Sequence, residues 1–376
     1  MALPTRAEIC AAACTKLTGA EVGRLASVIG LDGFVDEIIA VVDKRYGPDR
    51  YERLATIDQF ARRIANAAGQ SANIELVTTR RKLGGNGPIM ANALARLGLP
   101  VTYIGNLGHP ELHPVFKPMA AHSQIISIAE PGHTDALEFQ DGKLMLGKYT
   151  VVAEITWENI IRCAGREKIL EIMRSARLLG TVNWTMLPFM NDIWRHLRDE
   201  VLKPLPRTDR LLFVDLADPA KRTREDLRGA LELLGQLQQH VHVVLGLNLQ
   251  EAVQVAAAIG WPAFNRPEEQ IEALAVRLQR QLRLGTVVIH PRAAAAAADQ
   301  HGSAWFAGPF VKEPKISTGA GDHFNAGFVT ARLLGLNLAE ALGLGTATSG
   351  YYVRHAQSPT LAELTEFIRD LPPPEA

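Results

Sequence analysis

Residues 316–335, ISTGAGDHFNAGFVTARLLG, place two glycines and an aspartate immediately ahead of a helical pattern. Gly319 and Gly321 let the backbone turn tightly and approach a ligand closely. Phe324, Phe328, Ala331 and Leu334 then recur on one apolar face, as a helix over this stretch requires. Backbone N–H groups converge at such a helix start, where the dipole also favours an anion. Asp322 stands in that first turn. It could accept the proton of a hydroxyl that attacks a phosphoryl group, or it could simply stabilise the helix start. No GxxxxGK[ST] loop and no GxGxxG after a strand occur, so neither a P-loop nucleotidase nor a dinucleotide-dependent dehydrogenase is supported.

Working outward, strands are expected at 177–182, 210–215, 241–246 and 286–290, separated by helical stretches such as 187–202 and 222–239. Alternation of this kind implies a parallel sheet covered on both faces. A second informative segment is KLGGNGPIMANALARLGLPVTYIGNLG, residues 82–108. It reads as the glycine pair Gly84–Gly85, a helix that Asn86 can cap and Gly98 closes, and the strand Val101–Gly105. Ser27–Leu31 reads as a buried first strand, followed by the β-rich Phe34–Val42 with Asp36. Short strands at 124–128, 136–140 and 143–149, with an Asp141–Gly142 hairpin turn, suggest a lid. The run Ala293–Ala298 favours a helix by propensity alone.

Together the two segments resemble the two signatures of the ribokinase-like (PfkB) carbohydrate kinase family, in the family's order and spacing, over residues 27–370. The resemblance implies an α/β fold: a three-layer α/β/α sandwich with a mostly parallel sheet and a small β-sheet lid. Residues 1–26 would be an N-terminal helical extension and 27–370 the kinase domain. Lid strands would come from about 34–45, 73–80 and 124–149, and 371–376 would be a tail. The polyalanine would become strand and turn.

The chemistry implied by the resemblance is ATP-dependent phosphorylation of a hydroxyl on a sugar or related small molecule. Asp322 matches the catalytic base, and the amides of Gly319, Ala320 and Gly321 match the anion hole. Asn248 and Glu251 match a motif that helps place Mg²⁺ and phosphate, largely through water; alone, Glu251 could be a first-turn helix acid. Asp32 and Asp36, with the Gly84–Gly85–Asn86 corner, match the acceptor side. Thr318, Thr346, Gly350 and Arg292 fall where relatives hold the nucleotide, and Trp184 could shape the pocket.

Two departures stand out. Ile316 and Ser317 occupy positions where relatives carry Asp and Thr, which leaves activation by a monovalent cation such as K⁺ open. The nucleotide-side strand ends in His290-Pro291-Arg292 rather than the usual glycine-rich turn. The four-residue spacing of Asp32 and Asp36, followed by IIAVVDK, resembles adenosine-kinase-like members. A nucleoside kinase is therefore the alternative, and a ligand-binding protein that has lost turnover a further one.

The 376 residues include 40 Lys+Arg against 40 Asp+Glu, a formal charge of zero, with 47% apolar and 21% charged residues. That balance fits an ordinary folded chain and excludes a broadly basic nucleic-acid surface. No apolar run approaches a membrane span, and the N-terminus lacks a signal-peptide pattern, so a cytoplasmic enzyme without a membrane partner is expected. Cys10 and Cys14 have no second pair of ligands nearby, and Pro110 and Pro114 interrupt the four-residue spacing of His109 and His113, so no metal is expected at either. Pairing of two copies through the lid strands is the expected mode if the protein is a homodimer.

Overall fold

In the computed structural model, which describes residues 4–375, fourteen strands form two sheets among the described residues. They are β1 (Ser27–Leu31), β2 (Phe34–Gly47), β3 (Arg50–Arg53), β4 (Leu76–Gly84), β5 (Val101–Gly105), β6 (Gln124–Ser127) and β7 (Gly132–Glu138). They continue with β8 (Lys143–Lys148), β9 (Leu178–Thr181), β10 (Leu211–Asp215), β11 (His242–Leu247), β12 (Thr286–Ile289), β13 (Ala294–Asp299) and β14 (Gly302–Ala307). Nine of them make the main sheet in the order β14-β13-β12-β11-β10-β9-β1-β5-β6. All neighbours are parallel except the antiparallel β12–β13 and β13–β14 pairs at one edge.

Side-chain alternation explains the three layers. Val28, Leu212, Val243 and Val287 enter one buried core. Their sequence neighbours Ile29, Phe213, Val244 and Val288 enter the other. Helices such as Arg224–Leu237 and Ile271–Leu282 cover the first face; Asn86–Arg96, Ala320–Leu333 and Leu338–His355 cover the second. The polyalanine run is strand β13, buried on both faces, because packing between two helical layers outweighs a helix propensity of tenths of a kcal/mol per residue.

The second sheet is the lid, in the order β3-β2-β7-β8, with β4 also paired to β2. Its own small core joins Ile39, Val41, Leu137 and Phe139 to Phe60 of the Ile57–Asn66 helix. Three boundaries differ from the expectation. The 124–127 strand is not part of the lid: β6 pairs in parallel with β5, and its neighbours Ile125 and Ile126 pack into opposite cores of the main sheet. β4 runs on to Gly84, because its ladder with β2 continues from Val41 down to Phe34. The first helix, Arg6–Leu17, is no appendage: Ile9, Cys10, Ala13 and Leu17 are buried in the same core as the Leu338–His355 and Leu361–Arg369 helices. Burial pushes the Cys10 thiol pKa up, and Cys14 donates to the Thr365 carbonyl, so the pair serves packing. No helix is long and apolar enough to cross a membrane among the described residues.

Candidate active site

The parallel strands deliver polar residues to one end of the main sheet. Asp32 follows β1, Asn183 follows β9, Asp215 ends β10, Asn248 follows β11 and His290 follows β12. In an open α/β sheet ligands bind outside the carboxyl ends of the strands, and this row is therefore the place to look.

Across it lies the start of the Ala320–Leu333 helix, capped by Gly319 at φ 92°, a conformation only glycine adopts freely. The Ala320 amide donates to the Ser317 carbonyl at 3.2 Å, whereas those of Gly321 and Asp322 have no acceptor among the described residues. The Gly319 amide likewise has no acceptor among the described residues, so of the three amides expected to form the anion hole only that of Ala320 is engaged. Asp322 is 6% exposed, and its Oδ1 accepts from Asn86 Nδ2 at 3.1 Å. Asn86 is consequently not the cap of its own helix; Gly85 takes that position, and the Asn86 side chain reaches across instead.

Three buried acids converge here. Burial first, and then the charge of Asp215, hold the Asp322 pKa well above the usual carboxylate range. Burial and Glu251 do the same to Asp215, which accepts from the Ala217 amide at 2.9 Å and Asn325 Nδ2 at 3.0 Å. Glu251 closes a capping box with Asn248 and also accepts from the Asp218 amide at 3.0 Å, while its burial raises its pKa. The capping reading and the ligand-placing reading of Asn248–Glu251 are thus compatible, since each carboxylate oxygen keeps a lone pair for water. Asn325 Oδ1 and His290 Nε2 are buried beside this cluster without hydrogen-bond partners among the described residues. An all-oxygen set of mutually repelling carboxylates suits a hard divalent cation such as Mg²⁺ that retains its waters. Asp215 and, through water, Glu251 are the residues that would hold it.

On the acceptor side, Asp32 is wholly buried. It accepts from the amides of Asn86 (3.0 Å) and Gly87 (2.8 Å) and from Asn183 Nδ2 (2.8 Å). Burial pushes its pKa up to about 6 against those three donors. Its carboxylate anchors the helix start that carries Asn86, so in this structure it grips the protein rather than facing an open pocket. Asp36, on β2, is also buried and raised, with Lys82 at 3.9 Å and Thr134 as partners. Gly84 and Gly85 allow this closeness: a Cβ on Gly84 would overlap the Asp36 carboxylate, and Gly85 has φ 95°. A Cβ on Gly87 would strike the Tyr103 hydroxyl and come within 2.7 Å of Asp32 Oδ1. Tyr103 is fully buried and donates to the Asp32 carbonyl, so neither can yield. Gly87→Ala is expected to cost about 1–3 kcal/mol in chemical denaturation, the usual range for overpacking a dense core.

Other residues are not brought to the acid cluster. Arg292 is exposed on the β12–β13 turn and has no partner among the described residues. The Thr346 hydroxyl donates to its own helix at Gly343, and Gly350 packs beneath Pro309. The Thr318 carbonyl accepts from Tyr352. Trp184 is buried, with Nε1 on Asn191 and the Arg222 guanidinium 4.4 Å over its ring, so it is a packing residue. Its neighbour Asn183, held at φ 61°, makes the contact with Asp32. No local motif in the sequence marks Asn183 or Asn325. For Asp215 a signal existed, since it ends an otherwise apolar strand, LLFVD, at the sheet edge where ligands bind.

The family model of prokaryotic ketohexokinases matches residues 4–371. A ketohexokinase of Haloferax volcanii is 31% identical over 342 residues, covering 90% of each chain. Among solved structures, a ribokinase of Arabidopsis thaliana complexed with ribose and ATP superposes with a TM-score of 0.62 at 17% identity, covering 91% of this chain and 97% of that one. A nucleoside kinase of Burkholderia thailandensis in complex with inosine gives 0.60 at 16% identity, covering 92% and 98%.

Proposed function

The chain belongs to the prokaryotic ketohexokinase family and is an ATP-dependent carbohydrate kinase, and from that premise we propose that its acceptor is a free ketohexose and its base Asp322. The observation that carries the assignment of the base is its placement. A carboxylate with a raised pKa stands in the same helix turn as the unpartnered amides of Gly321 and Asp322. An acceptor hydroxyl there attacks the γ-phosphorus of ATP, its proton passes to the Asp322 carboxylate, and the bond to the ADP oxygen breaks. The free amides stabilise charge on the transferred group, and fixed donors of this kind usually supply a large share of catalysis. Asn86 holds the carboxylate in position. Bound Mg²⁺ would neutralise charge on the ATP phosphates.

Asp36 on the lid and the Gly84–Gly85–Asn86 corner bound the acceptor side, with Asp32 as the buried support beneath them. Closing the lid over the sheet would exclude water and suppress ATP hydrolysis. The deciding experiment is a coupled ADP-release assay with purified enzyme, ATP and Mg²⁺ over fructose, other free sugars, adenosine and inosine. Turnover on a ketohexose above all others is expected; preference for a nucleoside would replace the acceptor assignment. ADP release no greater than background with every acceptor would leave only a binding role.

The lid also leaves Leu76, Met145 and Leu146 exposed on its strands. Apolar side chains on an open sheet favour burial against a second copy. We therefore expect a homodimer through the lid. Leu146→Glu should halve the mass measured by light scattering; a monomeric parent, or a dimer indifferent to this charge, would count against it.

A further inference from the structure

Behind the Asp322 turn a cavity of about 560 Å³ opens between β4, the Asn86–Arg96 helix and the end of the Leu338–His355 helix. Its lining includes none of Asp215, Glu251 and Asp322. Ile89 and the Tyr352 hydroxyl form the dividing wall, lying 3.1 and 3.3 Å from where a Cβ on Gly319 would stand. Three cations line the cavity. Arg80 and Lys82 share one face of β4 through the two-residue period, and Arg96 ends the Asn86–Arg96 helix one turn beyond Asn92. Among the described residues neither Arg80 nor Arg96 makes an ion pair, and Lys82 meets Asp36 only at 3.9 Å. Arg80 is exposed at the cavity mouth, Lys82 and Arg96 are half-buried, and three cations set against one paired carboxylate, Asp36, lower the energy of an anion within the cavity.

A directed chain of hydrogen bonds leads from this cavity to the phosphoryl-transfer turn. Asn92 Nδ2 donates to Ser358 Oγ at 3.2 Å, Ser358 meets His323 Nε2 at 2.8 Å, and His323 Nδ1 meets the Gly319 carbonyl at 2.7 Å. The His323 ring is buried, with one nitrogen on the Gly319 carbonyl and the other on the Ser358 hydroxyl. The Gly319 carbonyl can only accept, which puts the proton on Nδ1 and makes Nε2 the acceptor of the Ser358 hydroxyl. The ring is clamped against Tyr352, with centroids 3.6 Å apart. The polarity therefore runs one way, from Asn92 on the cavity wall to the peptide that begins the helix at Ala320.

We propose that this cavity is a binding site for a phosphate dianion whose occupancy slows phosphoryl transfer through Asn92, Ser358 and His323. Arg80 and Arg96 supply charge-assisted donors. The anion, as the stronger acceptor, draws the Asn92 amide from Ser358 and so releases the peptide that His323 holds. The dianion can be free phosphate or the phosphoryl group of a sugar monophosphate. The volume exceeds that of bare phosphate, and Gln357 adds a neutral polar group on the wall.

Binding does not depend on the proposed acceptor; the effect on rate does. Calorimetry is therefore run on the full chain saturated with a non-hydrolysable ATP analogue, with inorganic phosphate in one arm and a ketohexose monophosphate in the other. Both probes should bind, the tighter one naming the source. The Arg80→Ala/Arg96→Ala variant should bind about tenfold more weakly or worse, with its melting temperature unchanged, since a hydrogen bond to a charged group is worth about 1.5 kcal/mol or more. Absent binding, or binding indifferent to both arginines, would overturn the site. In the kinase assay phosphate should inhibit the wild type but leave Ser358→Ala, with its lower basal rate, unaffected. Equal inhibition of both would overturn the coupling while leaving the acceptor assignment untouched.

Discussion

Asp322→Asn is expected to lower kcat by about three orders of magnitude or more, while the protein folds and binds ATP much as before. The amide cannot take the acceptor's proton, yet it keeps the volume of Asp322 and a carbonyl oxygen for Asn86 Nδ2. The free amides of Gly321 and Asp322 are unaffected, so the loss should fall on kcat rather than on the KM for ATP. Turnover near that of the wild type, with ATP and a proper acceptor saturating, would remove Asp322 from the role of base. The pH profile supplies a second reading. Burial and the neighbouring acids hold the Asp322 pKa above the ordinary 3.8, so the acid limb of kcat/KM should lie above the usual carboxylate range. Raising Mg²⁺ should move that limb to lower pH, because a nearby cation favours the ionised form.

Asp215→Asn should separate stability from function. Burial and the Glu251 charge raise the Asp215 pKa in the folded state. A group raised in this way contributes its stability below the unfolded value of about 3.8 and loses it as pH rises through the folded pKa. At pH 8 the metal-free wild type therefore carries an unfavourable buried charge that the amide lacks. Metal-free Asp215→Asn should melt higher there, by roughly 1–2 °C for each kcal/mol relieved in a chain of 376 residues, with the difference shrinking toward pH 4. With Mg²⁺ and ATP the order should reverse, and the Mg²⁺ requirement should rise about 10- to 100-fold, as for residues that support a metal. Equal melting at both pH values together with an unchanged Mg²⁺ requirement would show that the acid cluster is not the cation site.

Local patterns made much of this molecule readable in advance. The Gly319–Asp322 turn, the Gly84–Gly85–Asn86 corner and the Asn248–Glu251 helix start are each contained within a few residues, and each keeps its backbone geometry in the fold. Roles that depend on a long reach were less legible. Asn86 looks like a cap in sequence, but 236 residues separate it from the carboxylate it contacts. Asp32 looks like an open ligand group, yet the amides of Asn86 and Gly87 and the side chain of Asn183 enclose it. The strand at 124–127 has lid-like length, and only its pairing with β5 assigns it to the main sheet.

The sequence by itself determined the alternating α/β order, the two glycine corners and the acid of the helix turn, because turn chemistry and hydrophobic period act over short distances. The tertiary structure alone decided which acids meet. Asp215, Glu251 and Asp322 come from separate elements, and only the shared direction of the parallel strands and the helix packed across them brings the three together. Their raised pKa values follow from burial and mutual repulsion, neither of which a linear pattern contains.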